Sequence, residues 1–156
     1  MRAVVQRVKQ ASVSVGGVTR AEIGAGVLIY LGVGPQDDAQ VARHLAVRLC
    51  ALRIFPDAQG RFQRSLVESG GEALLVSQFT LFADSRRGHR PSFTRAAAPG
   101  VARHLCAVVA QEFRRQGLAR TLEGEFGAHM LVASVNDGPV TVVATVGEGA
   151  WEADCG

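Results

Sequence analysis

A chain of 156 residues, 47% hydrophobic and 20% charged, has the balance of one folded globular domain and not of a disordered chain. Its longest apolar run, Gly26 to Pro35, is too short to cross a bilayer. The opening MRAVVQRVKQ carries charges where a secretory signal needs an apolar core, which points to a cytoplasmic protein with no membrane partner. The net charge of +3 is mild, and Lys9 is the only lysine. That bias reads first as GC-rich codon usage, but arginine forks leave phosphate recognition open.

Ala3 to Val8 and Ser12 to Val15 read as strands, and Gly16-Gly17 turns the chain into a returning strand, Val18 to Ile23. Gly24-Ala25-Gly26 turns it again. Val27 to Val33 is continuously apolar, as a strand covered on both faces must be. Asp37 with Gln40 resembles a capping box, and Val41, Leu45, Leu49 and Leu52 fall at helical spacing, predicting a helix over about Asp38 to Leu52. Arg53 to Phe55 suits a short strand. Pro56-Asp57, Gly60 and Gly70-Gly71 mark turns, and EALLVSQFTLF, Glu72 to Phe82, reads as one strand.

Ala83 to Arg95 has no periodicity and reads as a loop. Pro99 opens a second helix, with Val101, Leu105, Val108 and Phe113 on its apolar face and Gly117 as its stop. Thr121 to Phe126, Met130 to Val135 and Val140 to Val146 are further strands, the last two joined by Asn136-Asp137-Gly138-Pro139. The fold class is mixed α/β: about eight strands and two main helices. Residues 1–156 read as a single domain, with 147–156 as a C-terminal tail.

Three cysteines, Cys50, Cys106 and Cys155, are widely spaced with no CxxC pair, so no zinc site of the usual pattern exists. Cys50 and Cys106 sit among apolar residues, as small core hydrophobes do. His44 and His104 fall on helix surfaces. HExxH, GxSxG and paired carboxylates are all missing.

Three stretches invite two readings each. Ser77-Gln78-Phe79-Thr80 puts polar residues into a core strand. They either bond to neighbouring backbone or floor a pocket. Arg86, Arg87, Arg90 and Arg95, with His89, make either a solvated loop or a polyanion contact beside that pocket. Asn136 to Pro139 is either a hairpin connection or a turn using a Gly-Pro bond, which adopts cis at a cost of only about 0.5–1 kcal/mol.

SQFTL (77–81), RPSF (90–93) and FGAHMLVASVNDGPVT (126–141) together resemble the D-aminoacyl-tRNA deacylase family. MRAVVQRVKQASVSV, GVLIYLGV, LRIFPDAQG and GGEALLVSQFTL extend the resemblance from Met1 to about Val146. Phe62-Gln63 departs from the family's usual Met-Asn, and the tail has no family pattern. The resemblance implies a three-layer β/β/α homodimer with its active site at the subunit interface and no metal or organic cofactor. It implies hydrolysis of D-aminoacyl-tRNA for chiral proofreading. Phe79 and Thr80 are the implied catalytic positions, acting through backbone N–H groups. Ser77, Gln78, Met130, Gly138 and Pro139 are implied to bind substrate. Gly138-Pro139 is implied to be cis and to enter the partner's pocket. Arg86, Arg87 and Arg90 are the expected tRNA contacts. Two other classes compete: an RNA-binding module without catalysis, and a hydrolase with Thr80 or Ser77 as nucleophile.

Overall fold

The structure, a computed structural model, describes residues 1–86 and 89–147. Arg87, Cys155 and the tail beyond Gly147 lie outside the described residues. The elements in chain order are β1 (Arg2–Val15), β2 (Val18–Ile23), β3 (Gly26–Gly32), α1 (Ala39–Ala51), β4 (Phe55–Pro56), β5 (Phe62–Arg64), α2 (Leu66–Ser69), β6 (Glu72–Ser77), a 3₁₀ turn (Phe79–Phe82), α3 (Pro99–Arg115), β7 (Thr121–Glu123) and β8 (Leu131–Thr145).

The main sheet runs β2-β1-β3-β6-β7, with β8 along the other edge of β1. β3, β6 and β7 are parallel. β3 has the two covered faces that its apolar run requires. Val27, Ile29 and Leu31 pack with α1 and α3 in one core, while Leu28 joins Val13, Ile23 and Leu74 in a second core between sheet halves. Helices, sheet and folded-over sheet make the expected three layers, β/β/α.

Several expectations change. β1 is one strand, not two, because β8 pairs with it from Arg2 to Ser14. Its alternation slips where Arg7 and Val8 are both buried and Lys9 and Gln10 both exposed, which carries the strand from the first core to the second. β8 is likewise one strand. Residues 136 to 139 form no hairpin: both halves of β8 pair with β1, and the register shift between Gln6 and Val8 absorbs them as a bulge. The cap of α1 is Asp38, whose side chain accepts from the N–H groups of Gln40 and Val41. Asp37 instead pairs with the Met1 ammonium at 2.6 Å and accepts from Gly34 N–H at 2.6 Å. α3 buries Leu105, Val109, Ala110 and Phe113, while Val101 is exposed. The short strand after α1 is Phe55–Pro56, which shares only Phe55 with the expected Arg53 to Phe55. Among the described residues, no helix is long and apolar enough to cross a membrane.

β6 ends at Ser77, and the expected strand to Phe82 becomes the 3₁₀ turn. Gly32 and Gly34 make room for it. A Cβ on Gly32 would lie 3.0 Å from Leu81 Cβ, and one on Gly34 3.0 Å from the Phe82 ring. The turn therefore lies directly on the backbone that follows β3.

Candidate active site

Where β3 and β6 end, a cavity of about 570 Å³ opens between the 3₁₀ turn, the start of α3 and the 126–132 segment. Ser77, Gln78, Phe79 and Met130 line it. So do Phe93, Cys106, Phe126 and His129, which sequence reasoning left without a role. Phe79 and Phe93 meet edge to face, ring centroids 5.1 Å apart. Both rings are well exposed, and they form an aromatic rim suited to a flat ligand group.

Thr80 stands outside the lining and is exposed; its Oγ1 accepts from Gln78 Nε2 at 2.5 Å. No histidine or carboxylate contacts that hydroxyl among the described residues, so it has no base to activate it. The turn's backbone is more informative. Gln78 N–H donates to Leu31 C=O at 2.8 Å, and the N–H groups of Leu81 and Ala83 close the turn. Those of Phe79 and Thr80, at its first two positions, find no acceptor among the described residues. Two adjacent free amide donors, Phe79 on the cavity lining and Thr80 just beyond it, can stabilise an oxygen anion.

Cys106 is the one cysteine lining the cavity among the described residues. Burial first, and Glu123 second, push its thiol up to about 12. Burial and Glu112 do the same to Cys50. Neither is a poised nucleophile. Among the described residues no group of three or more His, Cys, Asp or Glu side chains converges.

Gly138 and Pro139 do not line this cavity. Their peptide bond is cis, and they sit on the β8 bulge beside Arg7. Arg7 donates from Nε to Asp137 C=O at 3.0 Å and from Nη1 to Ile54 C=O at 2.5 Å. Its guanidinium also lies 5.2 Å from the centre of the Phe62 ring. Sequence reasoning missed Arg7. The available signal was its place on the inward face of β1, two residues after Val5 and four after Ala3, where a charged residue must have partners.

In the basic loop, Arg86 forms a two-point pair with Asp84, at 2.9 and 2.5 Å. Hydrogen bonds from the Arg86 side chain and N–H hold the Asp84 carboxyl well below the usual carboxylate range. Arg90 is exposed. Residues 84 and 92 bridge as two strands would, so the loop begins and ends at one point.

The family model described as D-Tyr-tRNA(Tyr) deacylase matches residues 4–145. The chain belongs to this family. A curated D-aminoacyl-tRNA deacylase of Roseiflexus sp. (strain RS-1) is 59% identical over 143 residues, 92% of each chain. That of Deinococcus radiodurans is 53% identical over 94% of this chain and 100% of its own. A solved structure described as c-Myc DNA Unwinding Element Binding Protein superposes with TM-score 0.88 at 35% identity, covering 93% of this chain and 98% of its own. One described as a probable eukaryotic D-amino acid tRNA deacylase has TM-score 0.81 at 20% identity, over 92% and 97%; it shares the fold. Family membership bears out the resemblance and the enzyme class, a hydrolase.

Proposed function

We propose that this deacylase hydrolyses the ester between a D-amino acid and the terminal ribose of tRNA, releasing free tRNA and the amino acid. The observation that carries this reading is the pair of N–H groups at Phe79 and Thr80, unpartnered among the described residues, beside a largely apolar cavity that Phe79 lines and that holds no nucleophile–base pair among those residues. An aminoacyl ester is already activated, with a hydroxyl on the neighbouring ribose carbon. Such a substrate needs positioning, water and an oxyanion site rather than a nucleophile. In this reading Phe79 and Thr80 stabilise the oxyanion, Ser77 and Gln78 hold the terminal adenosine, and Met130 packs on the substrate. Arg86, Arg87 and Arg90 contact tRNA phosphates.

The reading includes a homodimer. β8 leaves its outer edge unpaired among the described residues, and Leu131, Val135 and Val143 on it are exposed, 49–64%. An edge of that length with apolar residues calls for a partner. A two-fold contact there would bring the Gly138-Pro139 bulge of one subunit to the pocket of the other. The bulge then excludes L-residues from the α-carbon position, so the enzyme proofreads chirality, in the cytoplasm, and takes glycine as well. The test sets D-tyrosyl-tRNA beside L-tyrosyl-tRNA: rapid release from the D-ester alone is expected. Tight tRNA binding without release would favour an RNA-binding module instead. Light scattering should give twice the 16.5 kDa chain mass at concentrations where the enzyme is active.

A further inference from the structure

The segment after Ser92 divides its side chains between two cavities. Phe93, Ala96 and Ala97 line the candidate active site. Thr94 and Arg95 line a second cavity of about 320 Å³, together with Arg2, Phe82 and the Gly34–Asp37 turn. The 3₁₀ turn divides in the same way, with Phe79 on the first cavity and Phe82 on the second. One turn of chain therefore separates the two.

The second cavity is electropositive. Its one carboxylate, Asp37, is 4% exposed, and both its oxygens are engaged, by the Met1 ammonium and by Gly34 N–H. Arg2 and Arg95 remain. Neither has a carboxylate within ion-pair distance among the described residues, and the two line one cavity. Asp84 is the acid whose charge Arg95 feels, and it is already occupied by Arg86. Arg2 is held ready: one guanidinium nitrogen donates to Leu81 C=O at 2.9 Å, and the plane sits 4.7 Å from the Phe82 ring centre. The rest of its fork has no acceptor among the described residues. Two guanidinium forks and the Thr94 hydroxyl around a cavity of this size match the oxygens of a phosphate group.

We infer that the Arg2–Arg95 cavity binds a backbone phosphate of the single-stranded RNA end whose terminal nucleoside occupies the neighbouring active site. This rests on the deacylase reading above. It assigns Arg95 and Arg2 to substrate affinity rather than to chemistry, at a site separate from the Arg86–Arg90 loop. A free phosphate ion has the same chemistry, so the test must separate the two sources.

The experiment compares D-tyrosyl-tRNA with the D-tyrosyl ester of adenosine, which has no phosphate, for wild type, Arg95→Gln, Arg95→Glu and Arg2→Lys. Arg95→Glu should raise KM for the tRNA about tenfold and flatten its salt dependence, with kcat at saturation kept. Arg95→Gln should do so more weakly, and Arg2→Lys should retain part of the affinity. The adenosine ester should be cleaved equally well by wild type and the Arg95 variants. Equal losses on both substrates would mean that Arg95 acts through the shared wall, and the inference fails. It fails also if inorganic phosphate protects the wild-type fold while the tRNA KM ignores Arg95→Glu, since the cavity is then a free-phosphate site. Wild type that cleaves neither substrate would strike the deacylase reading itself, and this inference with it.

Discussion

Arg7 reaches from the first strand to the last and donates from Nε to the backbone carbonyl of Asp137 at 3.0 Å. It joins the inner face of β1 to the bulge that carries Gly138 and Pro139. The same fork holds Ile54 C=O and the Asp137 carboxylate, with Phe62 beneath it. The segment after α1, β5 and β8 thus share one guanidinium. Hydrogen bonds to charged groups contribute about 1.5–3 kcal/mol each. Arg7→Lys keeps the charge but cannot make the fork. We expect it to lower the melting temperature by several degrees and to reduce deacylation by more than the stability loss accounts for. Thermal melts beside kcat/KM at a temperature where both proteins are folded check this; an Arg7→Lys enzyme with full activity would show that the bulge needs no anchor.

Phe62 is one of the two positions at which the chain departs from the family resemblance. Phe62 is 53% exposed, so it adds little to a core, and its ring lies under the Arg7 guanidinium. A partly exposed cation–π pair contributes about 0.5–1 kcal/mol. Phe62→Ala should therefore cost little stability and reduce activity a fewfold. Phe62→Met, which restores an apolar platform, should recover most of it. Activity of both variants equal to wild type would reduce Phe62 to a surface residue.

The sequence shows best what burial dictates. The apolar run of β3, the helical spacing of α1 and the Pro99 start of α3 are all local patterns, and each element forms there. Long-range pairing is less visible. Nothing local in Asn136 to Pro139 distinguishes a hairpin from a bulge; the difference lies in β1, which pairs with both flanks. The strand expected through Phe82 stops at Ser77 because the chain turns onto Gly32 and Gly34, some 45 residues earlier in sequence. In the site, the Ser77–Thr80 motif stood out because polar residues interrupted a core strand. Arg7, His129 and the second cavity did not, since each depends on which segments meet in space.

The Asp84–Arg86 pair sets a limit on the basic loop. A carboxyl held below its usual range is ionised in the fold above the unfolded carboxylate pKa, near 3.9. The contact is therefore fully present above that pH and is lost only as pH falls through the lower folded value. Between pH 5 and 9 it contributes no step to the activity profile. Within that range Asp84 offsets the charge of Arg86. Asp84→Asn should thus tighten tRNA binding a fewfold, and Arg86→Glu should weaken it, both read as KM with its salt dependence. If neither substitution moves KM, the loop is a solvated face.

A conventional hydrolase would use Thr80 or Ser77 here, or the cavity's Cys106; Thr80 and Cys106 are not armed. Thr80 Oγ1 accepts one hydrogen bond and has no base. A thiol pushed up to about 12 by burial stays almost wholly protonated at pH 8. Thr80→Ala and Cys106→Ser should each stay within about tenfold of wild type, the scale of one neutral hydrogen bond. Removing the ribose hydroxyl beside the ester should abolish most activity. A Thr80 ester trapped during turnover would reverse this assignment.

Chirality gives the sharpest test. Gly138 holds φ at +145°, and a Cβ there would meet Val140 Cγ2 at 2.6 Å and its N at 2.8 Å. At Gly138 the bulge therefore presents backbone, with no side chain to move aside. In the proposed dimer, set against a partner's pocket, such a wall would stand beside the α-carbon of the bound amino acid. A D-residue sends its side chain away from it. An L-residue with the same amino and ester contacts drives its β-carbon into it, and an unrelieved overlap of about 3 kcal/mol slows reaction about a hundredfold. Rejection of this kind never touches the side chain, so many D-amino acids should be accepted alike. Glycine has no β-carbon to reject. At equal enzyme concentration, glycyl-tRNA and D-alanyl-tRNA should both be cleaved, and L-alanyl-tRNA should survive. Gly138→Ala should damage cleavage of both glycyl- and D-alanyl-tRNA, because the bulge must shift to admit a methyl group. Glycyl-tRNA as resistant as L-alanyl-tRNA would show that a contact to the D-side chain, and not a wall, sets the specificity.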